Sequence, residues 1–456
     1  MSGLSCTMKK DLTQGGITKT MLIFAGPMIL GNLLQQCYNI ADTLIVGHFL
    51  GTDALAAAGS AYSLMTFLTS VIIGLCMGSG AVFSVHFGRR EEMKVKKSVA
   101  ASFLFIGIAA VLMNITVFWG LDGILHILRV PNDIYALMRE YVWVIFWGIF
   151  FVFLYNYFAF LLRAVGNSVV PLYFLGAAAV LNIVLDVLFV VSFQWGVGGA
   201  AFATVISQAV SGVGIAVYTW FQTPELRPDC EALKIREVMA EVIRNSFAAS
   251  IQQSVMNFGI LMIQGLVNSF GTAVMAAFAA AVKIDSFAYM PAQEFGNAFS
   301  LFISQNHGAG ERERVREGVK KAAAVSAIFC LCISVIIFAL APRLMMIFID
   351  PSEMEIIAIG SGYLRIEGAF YCGIGILFLL YGFYRGVERP EMSLVLTVLS
   401  LGTRVLLAYT LAPLPSIGVY GIWWAIPIGW FLADLTGIVC MRKISGYPLL
   451  KQTGRL

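Results

Sequence analysis

The chain has 456 residues, 59% of them hydrophobic and 12% charged, with a formal net charge of +4. Soluble domains carry roughly 25% charged residues, so water is not the main solvent of this polypeptide, and the small positive excess implies no nucleic-acid partner. Residues 1–20 are mixed polar and lack an apolar core before a small-residue cleavage site, so no cleaved signal peptide is expected.

A stretch of about 20 apolar residues crosses a hydrocarbon core of ~30 Å at ~1.5 Å per residue. Twelve such spans are predicted, at residues 17–47, 54–86, 97–120, 133–160, 168–193, 197–221, 238–268, 272–304, 320–341, 355–383, 391–413 and 417–441. Span 1 carries Asn32, Gln35, Asn39 and Asp42 at steps of three, four and three, which places them on one helix face with Gln36 beside them. An ionisable group at mid-bilayer costs at least ~2.5 kcal/mol, so this face must line protein or water. Pro27, one turn before the stripe, removes a backbone hydrogen bond and permits a hinge. Span 5 adds Asn182 and Asp186, at i and i+4. If Asp42 and Asp186 share a pocket, one carboxyl should hold its proton near neutrality, giving a site that exchanges H⁺ or accepts Na⁺. The plainer alternatives are interhelical hydrogen bonding by Asn32 and Gln36 and simple hydration of Asp186 near an interface.

Span 7 has a neutral stripe of Ser250, Gln253, Asn257, Gln264 and Asn268, and span 8 holds Lys283, Asp285, Gln293, Glu294 and Asn297. Lys283 and Asp285 project to opposite sides of a helix, and Lys283 and Glu294 lie about 16 Å apart along its axis, so neither is a simple pair. Two readings stand for span 8: contact with substrate in a central cleft, or a buried network holding the second half together, with Arg404 of span 11 as a partner. The middle of span 10, around Cys372 and Gly373, carries no acid, so ion coupling is expected in the first half alone. The eight cysteines lack metal-ligand spacing and are expected to act as small core hydrophobes. The four histidines (His48, His86, His126, His307) sit at span ends and suggest neither catalysis nor metal binding. With no nucleophile or metal-ligand cluster, a membrane-embedded enzyme is not expected, and no cofactor is implied beyond a coupling ion.

Cytoplasmic loops carry the positive excess. Twenty-four of the thirty Lys and Arg fall on one side of the twelve spans, including Lys9, Lys10, Lys451 and Arg455, whereas the other side holds only Arg129, Arg139 and Arg343. Both termini are therefore expected in the cytoplasm. An internal repeat of about 221 residues pairs the segment from Gly51 with that from Gly271, Arg163 with Arg385, and the glycine-rich segment from Gly196 with that from Gly418. The expected architecture is all-α and polytopic, with six-helix lobes at 1–221 and 238–456 joined by a cytoplasmic linker at 222–237. An even number of spans per copy relates the lobes by a pseudo-two-fold axis along the membrane normal.

The stretch from Asn39 to Gly47, the Arg163-Ala164-Val165-Gly166-Asn167 turn followed by Pro171, and the segment from Ser304 to Gly310 resemble the multidrug and toxic compound extrusion (MATE) family over the whole chain, within it the DinF-like prokaryotic branch. That resemblance implies an efflux antiporter of the prokaryotic cytoplasmic membrane, exporting amphipathic organic cations in exchange for H⁺ or Na⁺ by alternating access, as a monomeric functional unit. It assigns ion coupling, with Na⁺ as the alternative to H⁺, to Asp42, Asn182, Asp186 and Thr204, with Tyr141 on span 4. It leaves Gln35, Asn39, Gln253, Asn257, Lys283, Asp285 and Glu294 as substrate-cleft candidates. The acids on spans 7 and 10 of the NorM-like branch have no counterpart on span 7 here, which leaves a NorM-type sodium site in doubt. The competing function is a lipid or oligosaccharide flippase of the same broad superfamily, for which several deep cations would be expected.

Overall fold

The computed structural model describes residues 11–127, 130, 132–229 and 231–444. Lys9, Lys10, Arg129, Lys451 and Arg455 of the charge pattern, and Cys6 and Cys230, lie outside the described residues. The described chain is helical, with α1 (Ile17–Leu50), α2 (Thr52–Gly88), α3 (Glu92–Ile127), α4 (Asn132–Phe146), α5 (Ile149–Ala164), α6 (Val169–Asp186) and α7 (Gly196–Gln222) in its first part. There follow α8 (Arg236–Asn268), α9 (Thr272–Gly308), α10 (Arg312–Met345), α11 (Met354–Ala369), α12 (Tyr371–Gly386), α13 (Pro390–Leu411) and α14 (Tyr420–Lys443). A π-helical segment, Val187–Ser192, extends α6.

Among the described residues, nine helices are long and apolar enough to cross a membrane. Two bent pairs, α4 with α5 at 45° and α11 with α12 at 53°, form a further span each. Helix α8 has 33 residues, but its polar stripe lowers its hydropathy; counting it as a span restores the expected twelve. Neither bend contains a proline, so neither was legible as a helix break. Both fall at the same place in the repeat that pairs Arg163 with Arg385. The repeat also extends to backbone geometry: Gly51 and Gly271, opening α2 and α9, have φ of 89° and 96°, a left-handed conformation that glycine adopts without a Cβ penalty.

The chain divides into two compact units, and the division cuts through two helices. One unit takes Gly26–Ser250; the other takes Leu12–Ala25 together with the chain from Ile251 onward. The opening turns of α1 thus belong to the second unit, and those of α8 to the first. Pro27 lies next to the first of these crossings, inside a helix that runs through it without interruption.

Close backbone approach holds each unit together, since helices in lipid associate through packing rather than through water exclusion. In the first unit, α2 meets the opening turns of α8 at Gly74 and Gly78, where an added Cβ would collide with the backbone of Asn245, Ser246 and Ser250. Ser79 and Ser246 exchange a hydrogen bond of 2.7 Å at this contact, and the Ser250 hydroxyl donates to the Val71 carbonyl at 3.0 Å. Farther along, His86 is buried between Glu91 (2.9 Å) and Glu241 (3.3 Å), a packing role that its place at a span end did not reveal. In the second unit, Gly296 and Gly382 let α9 and α12 touch: a Cβ on Gly382 would lie 2.5 Å from the Gly296 carbonyl oxygen. The N-terminal segment is tied down by Gln305, which accepts from the Leu12 N–H at 3.1 Å, and by Arg314, which donates to the Gly15 carbonyl at 2.8 Å. Of the described cysteines only Cys76 and Cys330 are buried; Cys37 and Cys332 are exposed, so the expectation of core packing holds for two and fails for these two.

Candidate functional site

The polar stripe of α1 and the acid of α6 converge within the first unit. Asp42 and Asp186 lie side by side, close enough for their carboxyl groups to interact directly. Asp186 is fully buried, and among the described residues neither of its oxygens nor Asp42 Oδ1 finds a hydrogen-bond donor. Asn182, one turn before Asp186 and 2% exposed, donates through Nδ2 to Thr204 Oγ1 of α7 at 3.3 Å and leaves its own Oδ1 without a partner. Thr204 in turn donates to the Ala200 carbonyl at 3.2 Å. Tyr141 of α4 is buried against both carboxylates, with Tyr38 and Tyr62 nearby. The structure therefore brings together all five residues named for ion coupling. Their unpartnered atoms are four oxygens, a donor set suited to a proton or a hard cation rather than to a soft metal. Gln35 is exposed beside Tyr38, and Asn39 is half-buried on the same face of α1.

The second unit holds a buried cluster of its own. Tyr371, the first residue of α12, donates its hydroxyl to Asp285 Oδ1 at 2.7 Å. Glu367, near the end of α11 and 2% exposed, sits beside Asp285, with Tyr363 and Arg404 against the same pair. The middle of span 10, around Cys372 and Gly373, does lack an acid, but Glu367 stands one turn before the bend at Phe370, just outside that window, and its place in a buried cluster was not anticipated. A count of every charge within the span, rather than at its middle, would have found it. Asp434 of α14 was also missed; it is buried near Gly373, with Oδ1 unpartnered among the described residues, and no polar residue one helical turn away marked it.

The remaining candidates fall into different surroundings. Lys283 is exposed, with its ammonium 5.9 Å from the centre of the Phe348 ring. Arg385, 4% exposed, donates to Asn297 Oδ1 at 3.0 Å, and Asn297 donates to Glu294 Oε1 at 3.3 Å, so Glu294 belongs to an internal polar chain. Gln253 and Asn257 are half-buried on α8, and Gln264 and Asn268 bond to each other at 2.9 Å.

A sequence model of the MatE family matches residues 27–188 and 247–410, more than half of the chain. The chain belongs to the MatE family. It is similar to the Bacillus subtilis protein named "Probable multidrug resistance protein YpnP", 30% identical over 402 residues that cover 86% of this chain and 87% of that one. It is also similar to "Probable multidrug resistance protein YoeA" of Bacillus subtilis, 26% identical over 430 residues, 92% of each chain. Among solved structures, a MOP superfamily transporter from Pyrococcus furiosus has the same fold, with a TM-score of 0.88 at 24% identity over 94% of this chain and 96% of that one. The two MatE segments begin 220 residues apart, in line with the repeat of about 221 residues read from the sequence. The first contains Asp42, Tyr141, Asn182 and Asp186, the second Asp285, Glu367 and Arg404, whereas Thr204 and Asp434 lie beyond the matched segments.

Proposed function

We propose that this MatE protein is a secondary active exporter of amphipathic organic cations, driven by exchange with H⁺ or Na⁺ through alternating access. The observation that carries the reading is the adjacency of half-buried Asp42 and fully buried Asp186, whose carboxyls are short of hydrogen-bond donors, on helices that the sequence separates by more than a hundred residues. Two like charges so placed are costly together, and the cost is relieved by one proton or by a cation held between them. A gradient of that ion then supplies a difference in affinity between two conformations, which is what coupling requires. Pro27 is the hinge in this scheme, supported by its position where α1 passes from one unit to the other. The names of the relatives, multidrug resistance proteins, support a small-molecule cargo and a transporter rather than an enzyme. The charge pattern supports both termini in the cytoplasm, and two repeat copies in one chain support a monomeric functional unit. Arg404 is held within the buried cluster of the second unit, which weighs against the flippase reading.

Purified protein in liposomes, tested for uptake of a fluorescent organic cation under a pH gradient or a Na⁺ gradient, with Asp42→Asn in parallel, decides the matter. Uptake under one gradient, abolished by the substitution in a folded protein, is the expected result and names the ion. Full gradient-driven uptake by Asp42→Asn would reject the ion site, and no response to either gradient would reject antiport of organic cations.

A further inference from the structure

The first unit contains a cavity away from the carboxyl pair. It has a volume of about 480 Å³, within the ~300–1,000 Å³ range of ligand pockets. It opens between α3, α5 and the end of α7, and the linker closes one end. Its wall is built from Phe103, Leu104, Phe158, Trp220, Leu226 and Leu233. The few polar groups that reach it are already committed: the Tyr157 hydroxyl donates to the Val99 carbonyl at 2.7 Å, Thr219 to Ile215 at 2.7 Å and Thr223 to Thr219 at 2.6 Å. A hydrocarbon chain can lie here without orphaning any of these groups, and a polar solute finds nothing to bond.

One cation stands at the linker end. Arg227 is fixed there by donating to the carbonyls of Trp220 and Phe221, with its guanidinium 5.5 Å from the centre of the Trp220 ring. The neighbouring lysines are neutralised, Lys96 by Asp229 at 3.2 Å and Lys97 by Glu237 at 2.7 Å, but among the described residues no carboxylate pairs with Arg227. A fixed, uncompensated guanidinium beside an apolar cavity repels an organic cation and attracts a phosphate. We propose that this cavity is a binding site for an anionic phospholipid, one acyl chain between α3, α5 and α7 and the headgroup phosphate on Arg227. The placement also fits the charge-based orientation, which puts the linker on the cytoplasmic side, where anionic lipids gather.

Native mass spectrometry of the full chain in detergent, with phosphatidylglycerol or phosphatidylcholine of matched chains, tests this site. Wild-type protein is expected to retain phosphatidylglycerol about fivefold more than phosphatidylcholine, the preference expected of one arginine near a lipid surface. Arg227→Gln should erase that preference while keeping chain-dependent binding. Leu104→Trp, at a position 51% exposed and so free of core strain, should fill the cavity and lower retention of both lipids. Equal retention of the two lipids by wild type, or an undiminished preference in Arg227→Gln, overturns the headgroup assignment. Unchanged retention in a folded Leu104→Trp overturns the chain assignment, and displacement by glycerol phosphate alone shows a free-phosphate site instead. Displacement by an organic cation identifies the cavity as a substrate site and also overturns the proposal. None of these outcomes depends on transport, so the proposal and the antiport reading fail separately.

Discussion

Gly78→Ala probes the contact between α2 and the opening turns of α8. A Cβ at position 78 would stand 2.5 Å from Ser246 Cα and 2.6 Å from the Asn245 carbonyl carbon, and ordinary contact begins at 3.4 Å. The obstructing atoms are backbone, and the Asn245 carbonyl oxygen stands nearer still, so one helix must retreat by about 1.1 Å, and overpacking of this kind costs about 1–3 kcal/mol. If α8 leaves the contact rather than straining it, that energy moves the equilibrium about 5- to 150-fold. Ser79→Cys with Ser246→Cys reports the contact, because the native hydroxyls are 2.7 Å apart. In a protein whose eight native cysteines have been replaced, disulfide formation between 79 and 246 is expected to slow by that factor on adding Gly78→Ala. Gly176→Ala serves as control, since nothing lies within 4 Å of its added Cβ. Cross-linking at the parental rate, with an unchanged melting temperature, would show that the helices do not need this glycine.

Tyr371→Phe removes the donor to buried Asp285 and should destabilise the second unit by about 1–3 kcal/mol, read as a lower melting temperature in detergent; no change would remove Tyr371 from the cluster. Arg385→Gln takes the cation away from Asn297 and Glu294 and should cost about 3 kcal/mol, with partial rescue by Arg385→Lys, whereas full stability in Arg385→Gln would assign that polar chain no structural role. Asn182→Ala should weaken binding of the coupling ion more than it lowers the melting temperature, and equal losses in both would make Asn182 structural only. In the linker, the Ala232 N–H and then the Lys96 ammonium hold Asp229 below the usual carboxylate range. A depressed value contributes stability above the unfolded carboxylate value of about 3.9 and loses it as pH falls through the folded one. Hydrogen-exchange protection of the Ala232 amide should therefore be flat from neutral pH down to about 4 and fall below it; loss of protection near pH 6 would contradict this assignment.

Hydropathy made the spans legible because each has to satisfy one solvent along its whole length: α3 and α10 could be bounded from composition to within a turn or two. The carboxyl pair was legible for a related reason, since Asp42 and Asn182 to Asp186 are expensive in lipid and stand at helical spacing. What escaped were facts of three dimensions. The bends at Gly148 and Phe370 have no proline to announce them. Glu367, two residues from Arg365, and Asp434, two from Thr436, belong to no polar stripe at helical spacing, and the charged neighbours of Glu367, Asp285 and Arg404, come from other helices. His86 looked like an ordinary span-end residue because Glu241, one of its two partners, lies beyond the linker.

The division of the chain inside α1 and α8 bears on how the protein is made. A unit comprising Gly26–Ser250 cannot close until synthesis has passed the linker, and the segment Leu12–Ala25, emerging first, must wait for helices that are made last. Neither six-span repeat is therefore self-sufficient: a chain stopped at the linker would lack the strip that packs against Gly74 and Gly78. Cutting the chain at the linker and expressing both parts together should restore the molecule, because the boundary that matters to assembly lies about fifteen residues into α8.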